Sequence, residues 1–456
     1  MRALLRPLSR LLALLALSAF ALAQPAAAQD VLRDAETEAL LQQMIDPLAA
    51  AAGLQPGAVD VVLLNDPSIN AFVAGGQRIY VHSGLINAAE SANEVQGVLA
   101  HELGHITGGH IIGYSQGAGK ATKISALSML VGLAAALAGA PEAGMGAMAL
   151  GQQAAIGSFL QFSRTQEASA DAAGAEYLSK AGITGKGSLA FFKKLQNQEF
   201  RYGYSQSDEA GFARTHPLTG DRISRLEGVY EKDPAWNTPP DADQQRRFLA
   251  IKAKLYGYLA TPAQTLNAYP ETMTGVPARY ARAYAYHKEA RMDKALAETE
   301  ALIAEEPDNP YFLELQGQVL LESGRPGDAL APLRRASELT HFTPLIASTF
   351  GHALIATEDS ANYPEAEQVL RAAVGRDREI PFAWYQLGVV YAANGDMPRA
   401  RLASAEQQVM TGNPAEALRS AQAAERGLPE GSPDWIRAQD VELQARAQLE
   451  RQKDRK

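Results

Sequence analysis

The feature that most constrains this chain is a period in its C-terminal half. Alanines open helix-like stretches at Ala295, Ala329, Ala366 and Ala400, at spacings of 34, 37 and 34 residues. Gly324 and Gly395 stand five residues before two of them, and Pro310 and Pro381 mark unit starts. The run Trp384-x-x-Leu387-Gly388-x-x-Tyr391 sets large residues beside small ones, so two helices can pack closely. A unit of that length cannot bury its apolar face alone, and stacking units buries a continuous core and leaves a concave groove. The pattern predicts an all-α solenoid over residues 247–450. Its last unit is irregular, because Ala417 follows Ala400 by half a period.

With 456 residues, the chain exceeds what one core usually holds. Residues 229–246, with Asp233-Pro234 and Pro239-Pro240, have linker composition and separate the repeats from a region of mixed strands and helices at 29–228. Residues 1–28 read as an export signal. Arg2, Arg6 and Arg10 precede an apolar run from Leu11 to Ala23, with small residues suited to cleavage after Ala23 or Ala28. Acidic residues outnumber basic ones, 51 against 42, and there is no cysteine. A diffuse negative balance argues against nucleic-acid binding. The missing thiols exclude disulfides, thiol catalysis and thiolate metal sites, and they suit an oxidising bacterial periplasm.

His101-Glu102-Leu103-Gly104-His105 is an H-E-x-x-H motif. Histidines four apart on a helix lie about 40° apart around its axis, so both imidazoles reach one metal while Glu102 flanks that face. A catalytic zinc site usually takes three protein ligands. The extended pattern H-E-x-x-H-x-x-G-x-x-H accommodates Gly108 but needs a histidine where Ile111 stands, and His110 is one residue short. The alternative is a carboxylate from another helix. Glu167 and Asp171 share one helical face; the first can complete a metal shell and the second can accept the N–H of a ligand histidine. The small residues around them, Ala168, Ala170, Ala172, Ala173 and Gly174, favour close helix packing. His82, His110, His287, His341 and His352 receive no role, and His110 is expected to be exposed beyond Gly108-Gly109.

His101-Glu102-x-x-His105, followed by Ser163-Arg164-x-x-Glu167-x-x-Ala170-Asp171-x-x-Gly174, resembles the gluzincin metallopeptidases related to the CAAX prenyl protease. The likeness extends to Asn70-Ala71-Phe72, Gly75-Gly76-x-x-x-Tyr80-Val81-x-x-Gly84-Leu85 and Thr215-His216-Pro217. With an export signal in front and tetratricopeptide units behind, the chain is most similar to the BepA-type periplasmic branch of that family. The resemblance implies an α+β, mainly helical protein: a gluzincin-type domain with a small sheet, then a tetratricopeptide solenoid. It implies one zinc ion on His101, His105 and Glu167, Glu102 as general base, Asp171 supporting a ligand histidine, and His216 and Arg222 lining the cleft. It also implies that Ile79–His82 is an edge strand that pairs with an extended substrate. His216 and Arg222 are the candidates for stabilising an oxyanion, and His216 can instead occupy the fourth metal position and hold the enzyme latent.

The resemblance also suggests quality control or assembly of outer-membrane proteins, with the repeat groove recruiting protein substrates or assembly machinery. A chaperone or scaffold acting through the repeats, with a latent protease head, is the alternative. Residues 124–163 carry a single charge, Glu142, and are rich in glycine and alanine. They are expected to form a buried or lid-like hairpin, with membrane contact as the other reading.

Overall fold

The structure, a computed structural model, describes residues 31–137, 141–202, 216 and 220–454. The expected export signal lies outside the described residues, as do Thr215 and Pro217. A four-stranded sheet consists of β1 (Val31–Leu32), β2 (Asp60–Leu64), β3 (Ala71–Ala74) and β4 (Arg78–His82), in the order β1-β2-β4-β3. β3 and β4 form an antiparallel hairpin with Phe72 opposite Tyr80. Gly75 and Gly76 make its turn at φ of 64° and 104°, backbone that side chains with a Cβ avoid. β2 pairs with β4 in parallel, Val61 opposite Ile79.

β4 is therefore an inner strand, and the expectation that Ile79–His82 is an edge is corrected. The hairpin turn lays β3 on one side of β4, and β2 takes the other. The open edges are β3 and the two-residue β1.

Helices α1 (Ala35–Ala51), α2 (Ser83–Ala88) and α3 (Ala92–Thr107) pack on this sheet through Leu40 and Met44, Leu85 and Ile86, and Val95 and Leu99. Ser91 starts α3 by accepting a hydrogen bond from the Glu94 amide. α4 (His110–Leu137) and α5 (Pro141–Lys180) form a long hairpin, and α6 (Lys186–Tyr202) and α7 (Gly220–Tyr230) complete the N-terminal region. Two glycines let α3 and α5 touch backbone to backbone: a Cβ on Gly104 would lie 2.6 Å from the Ala170 carbonyl oxygen, and one on Gly174 would lie 3.0 Å from that of Ala100.

Beyond α7, the stretch with linker composition holds a short 3₁₀ turn at Pro234–Asn237, and the Trp236 carbonyl accepts a bond from Thr184 Oγ1. α8 (Ala242–Leu259) packs against α1, α2 and α3 and also against the repeats. Buried Lys254 on α8 bonds Asp34 and Glu36, and Tyr280 Oη donates to Glu36 at 2.6 Å. The stretch thus runs directly into a helix shared by both bodies.

After α9 (Pro262–Ala268) come helix pairs α10/α11 (Val276–Lys288, Met292–Glu305), α12/α13 (Pro310–Glu322, Pro326–Leu339), α14/α15 (Pro344–Ala356, Tyr363–Arg376) and α16/α17 (Pro381–Ala393, Met397–Met410). Ala295, Ala329, Ala366 and Ala400 are buried in them. Gly317 and Gly351 each receive a leucine of the partner helix, Leu333 and Leu370, where a Cβ would collide. The half-period at Ala417 is explained by a fifth pair, α18 (Pro414–Glu425) and α19 (Pro433–Asp454), in which Ala417 sits on the first helix.

The α4–α5 hairpin differs from the buried expectation. Each helix covers only the inner side of the other, with Ser125 Oγ donating to Gln152 and Ala155 buried. Leu127, Met129, Leu130, Val131, Leu133, Met145 and Leu150 are each more than half exposed. Among the described residues no helix is long and apolar enough to cross a membrane.

Candidate metal centre

Four side chains converge from three places in the chain. His101 and His105 project from α3, Glu167 from α5, and His216 from just before α7; all four are buried. His101 Nε2 lies 3.2 Å from His105 Nε2, 3.4 Å from a Glu167 oxygen and 3.3 Å from His216 Nδ1. His105 Nε2 and His216 Nδ1 are 3.4 and 3.1 Å from Glu167 Oε1. A tetrahedral shell with bonds of about 2.0–2.1 Å has edges of about 3.3–3.4 Å. The spacing of these donor atoms is therefore that of ligands around one small divalent ion. Two imidazoles and a carboxylate suit zinc, with a third imidazole in the fourth direction.

Glu102 is fully buried beside this group. Neither of its oxygens has a hydrogen-bond partner, and His216 Nε2 stands 3.5 Å away. Burial pushes its pKa up, so it can hold a proton above the ordinary carboxylate range. A buried acid left without donors is costly, which is consistent with a group kept for proton transfer.

Charge is balanced around the site by three further contacts. Asp171 Oδ1 is 3.1 Å from His101 Nδ1. Arg222 clamps both carboxylates, with Nε and Nη2 each 2.8 Å from Asp171 and Nη1 2.9 Å from Glu167. Burial opposes the charge on Asp171, but Arg222 and His101 overcome it and hold its pKa at about 2. Burial likewise opposes the charge on Glu167, and bonds from His101 and His216 hold it well below the usual carboxylate range. Burial works against a charged His101, yet Asp171 and Glu167 lift it to about 10. Burial and then the neighbouring imidazoles lower His105 to about 2. The two carboxylates are thus faced by Arg222 and by the imidazoles of His101 and His216, and a divalent cation bound here would compete with protons on those imidazoles.

Every site residue expected from the sequence lies in this one cluster. All three guanidinium nitrogens of Arg222 bond to Asp171 or Glu167. His110, expected to be exposed, is partly buried with Nδ1 2.8 Å from His105 Nδ1. The signal that could have found it is Gly108-Gly109, a turn that folds the next residue back onto α3.

The sequence profile of Peptidase family M48 matches residues 35–230. The beta-barrel assembly-enhancing protease of Escherichia coli is 23% identical over 363 residues, 78% of this chain and 72% of its own. A Vibrio cholerae relative is 28% identical over 290 residues, 63% of this chain and 59% of its own. The metalloprotease LoiP of Escherichia coli is 31% identical over 175 residues, covering 38% of this chain and 62% of that protein.

Proposed function

Residues 35–230 are a BepA-type M48 metallopeptidase domain, here followed by tetratricopeptide repeats, and from that premise we propose a periplasmic zinc endopeptidase that acts in the assembly or quality control of outer-membrane proteins. The observation that carries this is the set of donor atoms of His101, His105, Glu167 and His216 at 3.1–3.4 Å, with the unpartnered carboxylate of Glu102 beside it.

His101, His105 and Glu167 would hold a divalent cation, which would supply Lewis-acid polarisation there. Glu102 takes a proton from water on a carboxylate oxygen and returns it to the leaving amine. Asp171 holds His101 in the tautomer that leaves Nε2 free to ligate, and Arg222 fixes Asp171 and Glu167 together. The open edge of the sheet near α3 is β3, and an extended substrate backbone pairs there.

His216 would be the latency element, since its Nδ1 lies 3.3 Å from His101 Nε2 and 3.1 Å from Glu167 Oε1, where water or substrate would otherwise enter. Zinc content and casein cleavage are the test, for wild type, Glu102→Gln and His216→Ala. Stoichiometric zinc, loss of cleavage in Glu102→Gln and a gain in His216→Ala support the proposal; no bound metal refutes the site. The His216 geometry also favours the second reading, a scaffold with a latent head. Full function of Glu102→Gln in cells would select that one.

The repeats recruit extended protein segments. What supports this is a cavity of about 600 Å³ between β1 and the first helices of the pairs, lined by Leu32, Tyr284, Tyr311, Glu314, His352 and Phe382. The α4–α5 hairpin contacts the membrane surface peripherally. What supports this is its run of apolar side chains that are more than half exposed, among them Leu127, Leu130, Leu133, Met145 and Leu150. Flotation with phosphatidylethanolamine–phosphatidylglycerol vesicles tests this, and it should be lost in Leu130→Glu/Leu133→Glu.

A further inference from the structure

We infer that His110 is a positioning residue for the metal ligand His105, and that with Ser169 it links the two ligand-bearing helices by a hydrogen-bond chain with one direction. The inference rests on the metal site proposed above. His101 has a carboxylate, Asp171, at its Nδ1. His105 has an imidazole there instead: His110 Nδ1 at 2.8 Å, with the ring planes at 76°. On its other side His110 Nε2 lies 2.9 Å from Ser169 Oγ, and Ser169 Oγ donates to the Gln166 carbonyl at 3.0 Å. Gln166 Nε2 returns a bond to the His110 carbonyl at 3.3 Å.

The proton order follows from ligation at His105 Nε2, as the metal site proposed above requires. His105 then carries its proton on Nδ1 and donates it to His110 Nδ1, 2.8 Å away. His110 in turn carries its proton on Nε2 and donates it to Ser169 Oγ, whose hydroxyl donates to the Gln166 carbonyl. The His105 Nε2 lone pair is left facing His101 and Glu167. This is the tautomer a ligand at that position requires. Gln166 immediately precedes Glu167, so the chain that orients one ligand ends at the backbone bearing another.

The local sequence is built for this contact. Gly109 adopts φ of 64° and reverses the chain after α3, so His110 folds back over the helix it has just left. Gly108 has no side chain because a Cβ there would lie 2.4 Å from His110 Nε2. The glycine that fits the extended H-E-x-x-H-x-x-G-x-x-H pattern instead makes room for the His110 ring beside His105.

The test is zinc affinity of the full chain, by competition with a chromophoric chelator, for wild type, His110→Leu, His110→Gln and Ser169→Ala, alongside the melting temperature of each metal-free protein. His110→Leu should bind zinc about 10- to 100-fold more weakly. His110→Gln, whose carbonyl can accept from His105 and whose amide can donate to Ser169, should recover most of that loss. Ser169→Ala should fall between the two, with metal-free melting close to wild type in all three. Wild-type affinity in His110→Leu would overturn the inference, as would equal weakening in Leu and Gln variants with a matching fall in melting temperature. If wild type and His101→Ala bind zinc alike, the metal-site reading has failed instead.

Discussion

Gly104→Ala isolates the packing that joins the two halves of the metal site. The new Cβ would sit 2.6 Å from the Ala170 carbonyl oxygen and 2.8 Å from its Cα, both backbone atoms of α5 that no rotamer change can move. Restoring ordinary contact needs α5 to retreat by about 0.8 Å. Ala170 is one turn beyond Glu167 and adjacent to Asp171, so both carboxylates retreat with it while His101 and His105 stay on α3. Alanine favours a helix over glycine by about 1 kcal/mol, and overpacking costs about 1–3 kcal/mol. Net stability should therefore fall by only about 0–2 kcal/mol. The site is far less tolerant, because ligand distances must hold to about 0.2 Å, and a misplacement near 1 Å can cost about 100-fold in rate. Zinc competition, casein cleavage and thermal melting on the same sample should thus show a large loss of affinity and activity with a small change in melting. Gly174→Ala, with its closest contacts at 3.0 Å, should show a weaker version, and Gly375→Ala, with nothing within 4 Å, should show none. Affinity and activity of Gly104→Ala within twofold of wild type would refute the idea that this contact sets the position of Glu167.

Arg222→Met removes a guanidinium that bonds both buried carboxylates and should destabilise the metal-free protein by about 3–5 kcal/mol; an unchanged urea midpoint would mean the clamp is idle. Asp171→Asn should weaken zinc binding by about 10- to 100-fold, because the anionic acceptor facing His101 Nδ1 is lost; unchanged zinc affinity would show that Asp171 does not orient His101. Glu314, in the groove, has its pKa raised by burial to about 8. An acid with a raised folded pKa stays protonated while the unfolded chain ionises, so it costs stability progressively from about pH 4.5 to about pH 8. Glu314→Gln should flatten that decline by about 1–2 kcal/mol once solvent in the cavity is allowed for, and parallel melting–pH curves for the two proteins would contradict this.

Local chemistry was legible wherever neighbours in sequence are neighbours in space. The H-E-x-x-H spacing, the Gly75-Gly76 hairpin and the alanine period each act within one or two turns of chain, so residue type and spacing suffice. Glu167 and Asp171 were legible as a pair, yet only the close approach of α3 and α5 at Gly104 and Gly174 delivers them to the histidines. Strand order is a choice between partners far apart in sequence, which is why β4 could pass for an edge. Exposure of the α4–α5 hairpin was hidden for the same reason: an apolar helix reads alike whether or not another element covers it. His110 and Arg222 show the limit most sharply. Their residue types were visible, but an imidazole turned onto a ligand and a guanidinium spent on two carboxylates are facts of orientation, and orientation is fixed by tertiary contacts that no spacing encodes.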